Sequence, residues 1–188
     1  MRRDCHTDHP RGGAALILMR HPVTDAPEGL CYGRTDLGWG KEAAAQVQRA
    51  LATVPKVAEI WSSPLIRCID LAERFGSRDG AAATTDHRLI EHDFGRWEGR
   101  LWADIPRSES EPWIADIIYS APPGGEAFAQ LLERVAEVIS EIPEGALVIT
   151  HAGVIRAARM HVEGISFDTA FAEPVPFAQP LRLAQAVA

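Results

Sequence analysis

The sequence Leu16-Ile17-Leu18-Met19-Arg20-His21 determines how the rest of the chain is interpreted. Four consecutive apolar residues that end in two polar ones predict a strand buried on both faces, with Arg20 and His21 at its carboxyl end. A second apolar stretch, 146–150, is followed in the same way by His151. Ligands of open α/β sheets bind just beyond the carboxyl ends of parallel strands, so both histidines are candidates for one crevice.

Helical and strand patterns alternate along most of the remaining chain. This alternation predicts an α/β fold, a three-layer sandwich with a mostly parallel central sheet. The predicted strands are 59–61 and 84–86 in addition to the two above, and the predicted helices are 41–53, 64–75, 126–142 and 154–162. Gly76 is expected to end the second helix, because glycine is common just past a helix terminus.

Three other segments lack the periodic spacing of apolar residues that predicts a helix or a strand. Residues 22–39 are rich in glycine and proline and predict a long loop beside the site, where such loops are usually functional. Residues 100–120 predict short helical pieces broken by Pro106 and Pro112. Residues 171–183 contain three prolines and could form at most an edge strand.

Length and composition restrict the class of protein. The chain has 188 residues, of which 46% are hydrophobic, and we expect one domain over 14–188 after a flexible tail over 1–13. Its net charge of -7 argues against a nucleic-acid partner. No apolar run reaches the roughly 18 residues that span a bilayer, and the N-terminal residues, with His, Asp and Pro before any hydrophobic stretch, are unlike a secretory signal. We therefore expect no membrane partner and a cytoplasmic location, which three unpaired cysteines also suit.

The polar residues at the predicted strand ends suit phosphoryl transfer. The guanidinium groups of Arg20 and Arg67 match the oxygens of a phosphoryl group, and a helix that begins after Gly153 would add positive potential. A neutral His21 imidazole could accept the phosphoryl group, and Glu91 could protonate the leaving oxygen. This chemistry requires no metal or other cofactor, and its partner is a small phosphomonoester.

Four motifs in this order resemble those of the histidine phosphatase superfamily. They cover the chain from about residue 14 to residue 160. The motifs are Arg20-His21, Ser62-Ser63-Pro64-Leu65-Ile66-Arg67-Cys68, Glu91 with Asp93-Phe94-Gly95 and Trp97-Glu98-Gly99, and Thr150-His151-Ala152-Gly153. The resemblance implies a phosphoglycerate mutase-like fold, His21 as phosphate acceptor, and Glu91 as proton donor. It also implies a phosphate pocket of Arg20, Arg67 and His151, for which Thr24 is a further candidate.

Two further stretches are most similar to the α-ribazole phosphatase branch of that superfamily. They are 31–36 and 122–126, and from them we take Arg34 and Glu126 as candidate substrate-binding residues. Trp113 is a third candidate, because an indole ring suits the flat, apolar base of α-ribazole 5'-phosphate. Trp97 and Trp102 could line the same pocket, although core packing explains all three tryptophans equally well.

The chain departs from the superfamily at two positions. Pro22 follows the first histidine where the superfamily usually has glycine, and Pro27 stands where it often has asparagine. Pro22 has no backbone N–H, so any phosphate contact through that amide is lost, and Thr24 could compensate. We expect activity to persist, because the five side chains that carry the chemistry are intact.

Other interpretations remain open at this stage. One is a phosphoglycerate-type mutase, which the chain disfavours because Arg100 and Arg107 are the only basic residues in the segment that would close the crevice. Another is a catalytically weak phosphate-binding or regulatory protein, for which Pro22 and Pro27 are the arguments.

Several polar residues near the motifs have simpler roles available. Glu98 is expected to fix a loop, since Glu91 fills the position of the acid, and Cys68 is expected in the core. His87 and His92 lie in a spacing that fits no strong metal-ligand pattern, so no metal site is expected there.

Overall fold

The computed structural model describes residues 15–183. The five strands are β1 (Leu16–Arg20), β2 (Ile60–Ser62), β3 (Ala83–Thr85), β4 (Leu147–Thr150) and β5 (Pro180–Leu183). The helices are α1 (Ala43–Thr53), α2 (Ile66–Asp79), α3 (Arg107–Ala115), α4 (Phe128–Glu141), α5 (Ala152–Glu163) and α6 (Phe167–Ala172), with short 3₁₀ turns at His87–Leu89, Gly95–Trp97 and Trp102–Asp104. The expected tail over 1–13 lies outside the described residues, and no described helix is long and apolar enough to cross a membrane.

The strands form one sheet in the order β3-β2-β4-β1-β5. All neighbouring pairs are parallel except β1 with β5. Alternate residues of β1 point to opposite faces, so that Leu16 and Leu18 join a core with α4 and α5, whereas Ile17 and Met19 join a core with α1 and α2. The predicted three-layer α/β sandwich with a mostly parallel sheet is therefore confirmed.

The two apolar strands lie side by side at the centre of the sheet. β1 and β4 pair in parallel with Arg20 opposite Thr150, and the His21 amide continues the ladder by donating to the Thr150 carbonyl at 2.9 Å. On the other side of β4, the Ser63 amide donates to Ile149 O at 3.0 Å. This register brings the residues that follow β1, β4 and β2 to one edge.

The helix after β2 is longer than the sequence pattern predicts. Gly76 does not end α2, which continues for one turn to Asp79 and ends at Gly80, a glycine with a φ of 76°. Gly76 remains helical because its missing side chain leaves room for the carbonyl of Ala81, which a Cβ would overlap. The prediction of the helix was correct, and that of its end was wrong.

Two other local predictions also need correction. Pro106 lies just before α3, but Pro112 lies inside that helix and does not break it. Residues 171–183 do supply the antiparallel edge strand β5, as expected at most. Their beginning, however, belongs to the short helix α6, in which Ser166 caps the backbone amide of Thr169.

Candidate active site

Two buried histidines lie next to each other beyond the central strands. The ring centroids of His21 and His151 are 5.2 Å apart, and their residues are 2% and 0% exposed. The proximity follows from the register of β1 and β4, because each histidine is the first residue after its strand. The structure thus brings together the two histidines that the sequence analysis placed at one edge.

The position of its ring proton makes His21 suited to nucleophilic attack. His21 Nδ1 lies 2.7 Å from the carbonyl oxygen of Pro22. A carbonyl oxygen only accepts hydrogen bonds, so Nδ1 carries the proton and Nε2 keeps a free lone pair. Burial first, and then the positive charge of Arg67, lower the pKa of His21 to about 3, with a smaller contribution from Arg20. The imidazole is therefore neutral at physiological pH.

His151 is held from the side of β2 and α2. Its Nε2 lies 2.8 Å from Ser63 Oγ and 3.6 Å from Cys68 Sγ. Complete burial lowers the pKa of His151 well below its usual value, and His21 and the nearby arginines contribute in the same direction. Cys68 lies in the core, as expected, and its thiol packs directly beneath this histidine.

Arg67 is fully buried, which is rare for arginine and requires compensating partners. Its terminal nitrogens donate to the carbonyl oxygens of Thr35 and Gly33 at 2.7 and 2.5 Å. These acceptors lie in the glycine-rich loop after β1. The loop therefore fixes the guanidinium group of Arg67 from a distant part of the chain.

Arg20 is fixed by the segment that leads into β5. Its NH1 atom donates to Val175 O at 2.9 Å, and its guanidinium carbon lies 3.7 Å from the ring centroid of Phe177. The same ring is 5.7 Å from that of His21. The proline-rich segment before β5 thus forms one wall of the site.

Both arginines have an Nε–H group that is not used in a hydrogen bond within the described part of the protein. The Nε atoms of Arg20 and Arg67 are buried and have no hydrogen-bond partner among the described residues. Buried donors without acceptors are rare in folded proteins, and an unsatisfied one costs about 1–3 kcal/mol. An anion between the two arginines would supply acceptors for both.

The carboxylate of Glu91 lies at the start of α5. Its oxygens accept from the backbone amides of His92 at 2.9 Å and Gly153 at 3.1 Å. A Cβ at position 153 would overlap Glu91 Oε1, so a larger residue there would displace the Glu91 carboxylate. The amide at the helix N-terminus that the sequence analysis reserved for phosphate thus contacts Glu91.

A cavity of about 120 Å³ opens beside Glu91. Its walls are largely aromatic and aliphatic and include Phe94, Trp113, Ile117, Phe128 and Phe171, with the side chain of Arg156 among them. Trp113 therefore lies where a leaving group could contact it. Trp97, by contrast, is fully buried in a small core with Cys31 and Ile105, and its Nε1 donates to Glu109.

The other predicted substrate-binding residues lie in a network of ion pairs. Arg34 NH1 is 3.2 Å from Asp93 Oδ2, and Arg34 NH2 is 3.8 Å from Glu126 Oε2. Glu126 also accepts from Arg134 NH2 at 2.6 Å and from the Asp93 amide at 3.0 Å. These contacts occupy the Glu126 carboxylate with protein donors, while the Arg34 side chain is 47% exposed. Their part in substrate binding stays a prediction.

Thr24 and Tyr32 line the loop side of the site. Thr24 is buried, and its hydroxyl donates to the Tyr32 hydroxyl at 3.2 Å. The Arg67 guanidinium carbon lies 5.5 Å from the centroid of the Tyr32 ring. The hydroxyl of Thr24 thus contacts Tyr32 in this arrangement, and its role as a phosphate ligand stays a prediction.

Glu98 fixes the loop, as the sequence analysis expected. Its carboxylate accepts from the backbone amides of Gly33, Arg34 and Thr35 at 2.9–3.0 Å and from the Thr35 hydroxyl at 2.5 Å. Burial raises the pKa of Glu98, but these hydrogen bonds outweigh it and leave the pKa below its usual value. Because Gly33 and Thr35 hold Arg67, Glu98 supports the position of the Arg67 guanidinium indirectly.

Sequence reasoning missed the contributions of Tyr32, Arg156 and Phe177. Phe177 lies in a segment without a period, and only its nearness to the predicted edge strand beside β1 could have indicated a role. Arg156 follows Ala152 and Gly153 by four and three residues, so helical spacing could have placed it on the same side of α5 as those two residues. Within residues 15–183, no cluster of three or more His, Cys, Asp or Glu side chains is arranged to hold a metal ion.

Comparison with known proteins defines the class to which this site belongs. The family model of the histidine phosphatase superfamily, branch 1, matches residues 16–180. The chain therefore belongs to the histidine phosphatase superfamily, as its motifs indicated.

Two curated relatives from Mycobacterium tuberculosis are similar in sequence. A bifunctional protein is 34% identical over 155 residues, which are 75% of this chain and 42% of the relative. A glucosyl-3-phosphoglycerate phosphatase is 31% identical over 162 residues, which are 76% of this chain and 72% of the relative. The chain thus spans less than half of the bifunctional relative. The family and the phosphatase among these relatives support the prediction of a phosphatase.

A solved structure confirms the fold. The α-ribazole phosphatase of Shigella flexneri superposes with a TM-score of 0.80, covering 91% of this chain and 96% of that chain. Its sequence identity is 22%, so this likeness shows the shared phosphoglycerate mutase-like fold alone.

Proposed function

We propose that the protein is a metal-independent phosphomonoester hydrolase that works through a phosphohistidine on His21. The observation that carries the proposal is the neutral, buried His21 imidazole, whose Nδ1 proton is engaged by the Pro22 carbonyl. This arrangement leaves Nε2 as the nucleophile without the need for a base to remove a proton. Pro22 loses its own amide donor, but its carbonyl orients the reacting ring.

The phosphoryl group of the substrate binds between Arg20, Arg67 and His151. The unpartnered Nε atoms of the two arginines donate to its oxygens, and the buried guanidinium charges stabilise the negative charge of the transition state. His21 Nε2 attacks phosphorus as the bond to the leaving oxygen breaks. The pocket is fixed by backbone carbonyls before the substrate arrives, so little reorganisation is needed.

Glu91 transfers the proton at both steps. In its protonated form it gives the proton to the leaving oxygen, and the resulting carboxylate then takes a proton from the water that attacks the phosphohistidine. The backbone amides of His92 and Gly153 hold the carboxylate in place. Hydrolysis returns free His21 and a protonated Glu91, which completes the cycle.

The substrate we propose is α-ribazole 5'-phosphate or a related small phosphomonoester. The similarity of segments 31–36 and 122–126 to the α-ribazole phosphatase branch supports it, as do the aromatic walls of Phe94 and Trp113 beside Glu91. A phosphoglycerate-type mutase would use the same phosphohistidine but would return the phosphoryl group to a second hydroxyl. Release of phosphate without an isomerised product separates the two.

The experiment combines turnover with trapping of the intermediate. The enzyme is assayed on p-nitrophenyl phosphate in excess chelator, and a ³²P-labelled phosphomonoester is quenched in alkaline denaturant, where phosphohistidine survives. We expect phosphate release in chelator, inhibition by vanadate, and label on the protein. The label is expected to be lost in His21→Ala and retained in His161→Ala, which changes an exposed histidine on α5.

Two results would count against this proposal. Activity that disappears in chelator and returns with a divalent metal would refute the metal-independent route. Label that persists in a folded His21→Ala variant would place the intermediate on another residue.

A further inference from the structure

The cavity beside Glu91 contains a cation without a carboxylate partner. Arg156 lies in α5 and is half buried, and no carboxylate oxygen of the described residues lies within 4 Å of its guanidinium nitrogens. The other arginine of α5, Arg159, is paired with two carboxylates: it contacts Glu163 at 3.0 Å and Glu173 at 2.7 Å. Arg156 is therefore the arginine of α5 without a carboxylate partner among the described residues, and it lies in the cavity wall.

The side chain of Arg156 is held in place without being neutralised. Its Nε donates to Ala170 O at 3.2 Å, and its guanidinium carbon lies 4.6 Å from the centroid of the Phe171 ring. In the described part of the chain, its two terminal nitrogens donate to no acceptor. Burial lowers the pKa of Arg156, against the nearby charge of Glu91, yet a guanidinium group stays charged in proteins. Arg156 would therefore favour an anion in the cavity when Glu91 carries its proton, as it does at the first step of the proposed reaction.

The indole ring of Trp113 lines the same wall. Its Nε1 atom is buried and has no hydrogen-bond partner among residues 15–183. Trp97, its neighbour at a ring distance of 5.3 Å, differs because its Nε1 donates to Glu109. A molecule that fills the cavity would thus meet the charged donors of Arg156 between aromatic side chains.

The size of the cavity limits the occupant to a compact group. At about 120 Å³ it is close to the engineered cavity of about 150 Å³ that binds benzene, so it takes one small ring or a short chain. A carboxylate is planar, small and matched to the two terminal nitrogens of a guanidinium group. These properties favour a carboxylate on the leaving group.

We propose that this cavity is a leaving-group subsite in which Arg156 binds a carboxylate of the substrate. The inference rests on the proposed function, since it assigns the group attached to the scissile oxygen that Glu91 protonates. It ranks compact, carboxylate-bearing phosphomonoesters above α-ribazole 5'-phosphate, which has no carboxylate. Segment 100–121 contains only Arg100 and Arg107 as basic residues, whereas this cation comes from α5.

The test compares two substrates that differ in charge and hardly in shape. They are 3-carboxyphenyl phosphate and its neutral amide analogue, 3-carbamoylphenyl phosphate, and the quantity measured is the ratio of their kcat/KM values. The wild type is expected to prefer the carboxylate. Arg156→Gln is expected to lower this preference about 10- to 100-fold, the range for a hydrogen bond to a charged group. Arg156→Lys is expected to restore part of it.

Arg159→Gln serves as the matched control, because it makes the same change three residues further along α5 at an arginine outside the cavity wall. It is expected to keep the wild-type ratio. Circular dichroism and thermal melting identify any variant that fails to fold, and the Lys variant then carries the comparison.

The outcomes separate this inference from the proposed function. An enzyme that hydrolyses both esters without preference, or an Arg156→Gln variant that keeps the wild-type ratio, would overturn the subsite and leave the phosphatase standing. If neither ester nor p-nitrophenyl phosphate releases phosphate, the proposed function itself is wrong.

Discussion

The proposed phosphate side of the site and its proposed leaving-group side are built in different ways. On the phosphate side, His21, His151 and Arg67 are almost completely buried, and backbone carbonyls fix the ring of His21 and the guanidinium of Arg67. On the leaving-group side, Glu91 and Arg156 stand among aromatic rings around a cavity. The proposed phosphate side is a buried polar pocket, and the proposed leaving-group side is a largely apolar cavity.

The difference follows from the elements that supply each side. The histidines and Arg67 lie at the ends of adjacent parallel strands or in the first turn of the helix that follows one, where the register of the sheet fixes them. The walls of the cavity come from separate segments, including Phe94, Trp113 in α3, Phe128 in α4 and Phe171 in α6. In the proposed function, the reaction type therefore depends on residues fixed by the sheet, and the choice of substrate depends on the loops and outer helices.

A change at the boundary between the two sides is expected to have the largest effect. Glu91→Gln removes the proton donor, so hydrolysis of an alkyl phosphate such as ribose 5-phosphate should slow by roughly 10²- to 10⁴-fold. Hydrolysis of p-nitrophenyl phosphate should slow much less, because nitrophenolate leaves without a proton. Steady-state kinetics on both substrates measure the difference.

Glu133→Gln provides the control for that experiment, since Glu133 is an exposed carboxylate on α4. It should leave both rates unchanged. Equal losses on the two substrates in Glu91→Gln would show that Glu91 acts on the phosphate side instead, and the comparison between the two sides would fail.

A smaller and qualitatively different effect is expected from Glu98. Glu98→Gln replaces one acceptor oxygen by a donor that faces the amides of Gly33 and Thr35, so the loop that holds Arg67 should shift. We expect kcat/KM to fall about tenfold, the cost of one weakened hydrogen bond to a charged group, by the same factor for good and poor leaving groups. Binding of vanadate should weaken in parallel.

The two variants together test whether the sides act separately. A loss in Glu98→Gln that grows as the leaving group becomes poorer would connect Glu98 with proton transfer. Thermal melting of the variant shows whether the loss reflects the site or the stability of the fold.

Most of the proposed phosphate side could be predicted from the sequence. Apolar strands that end in histidine, together with four ordered motifs, were sufficient to predict the fold and the meeting of His21, His151, Arg20, Arg67 and Glu91. The reason is that parallel strands align their carboxyl ends, so residues far apart in sequence share an edge wherever the pattern is clear.

The leaving-group side could not be predicted to the same extent. Arg156 comes from the helix after β4 and Phe171 from a helix that the proline-rich pattern concealed, so their meeting around one cavity depends on packing between α5 and α6. The role of the Pro22 carbonyl was also missed. Its sequence position suggested only the loss of an amide, whereas the direction of the carbonyl depends on the backbone after β1.

Burial of the histidines also has a consequence for stability. The pKa of His21 is lowered from 6.5 to about 3. Between those pH values His21 is therefore protonated in the unfolded chain and neutral in the folded protein. The contribution of this neutral histidine to the free energy of unfolding is therefore complete above pH 6.5, and it is lost as the pH falls towards about 3. His151 shifts in the same direction.

The most direct test of the account is the protonation state of His21, because the phosphate side depends on a neutral ring with its proton on Nδ1. Long-range ¹H–¹⁵N correlation spectra of protein labelled at its seven histidines, assigned with His21→Gln, report both the charge and the tautomer. The account predicts a neutral His21 with protonated Nδ1 and free Nε2 at pH 7, unchanged down to about pH 5. A ring that is doubly protonated at pH 6, or that carries its proton on Nε2, would contradict it.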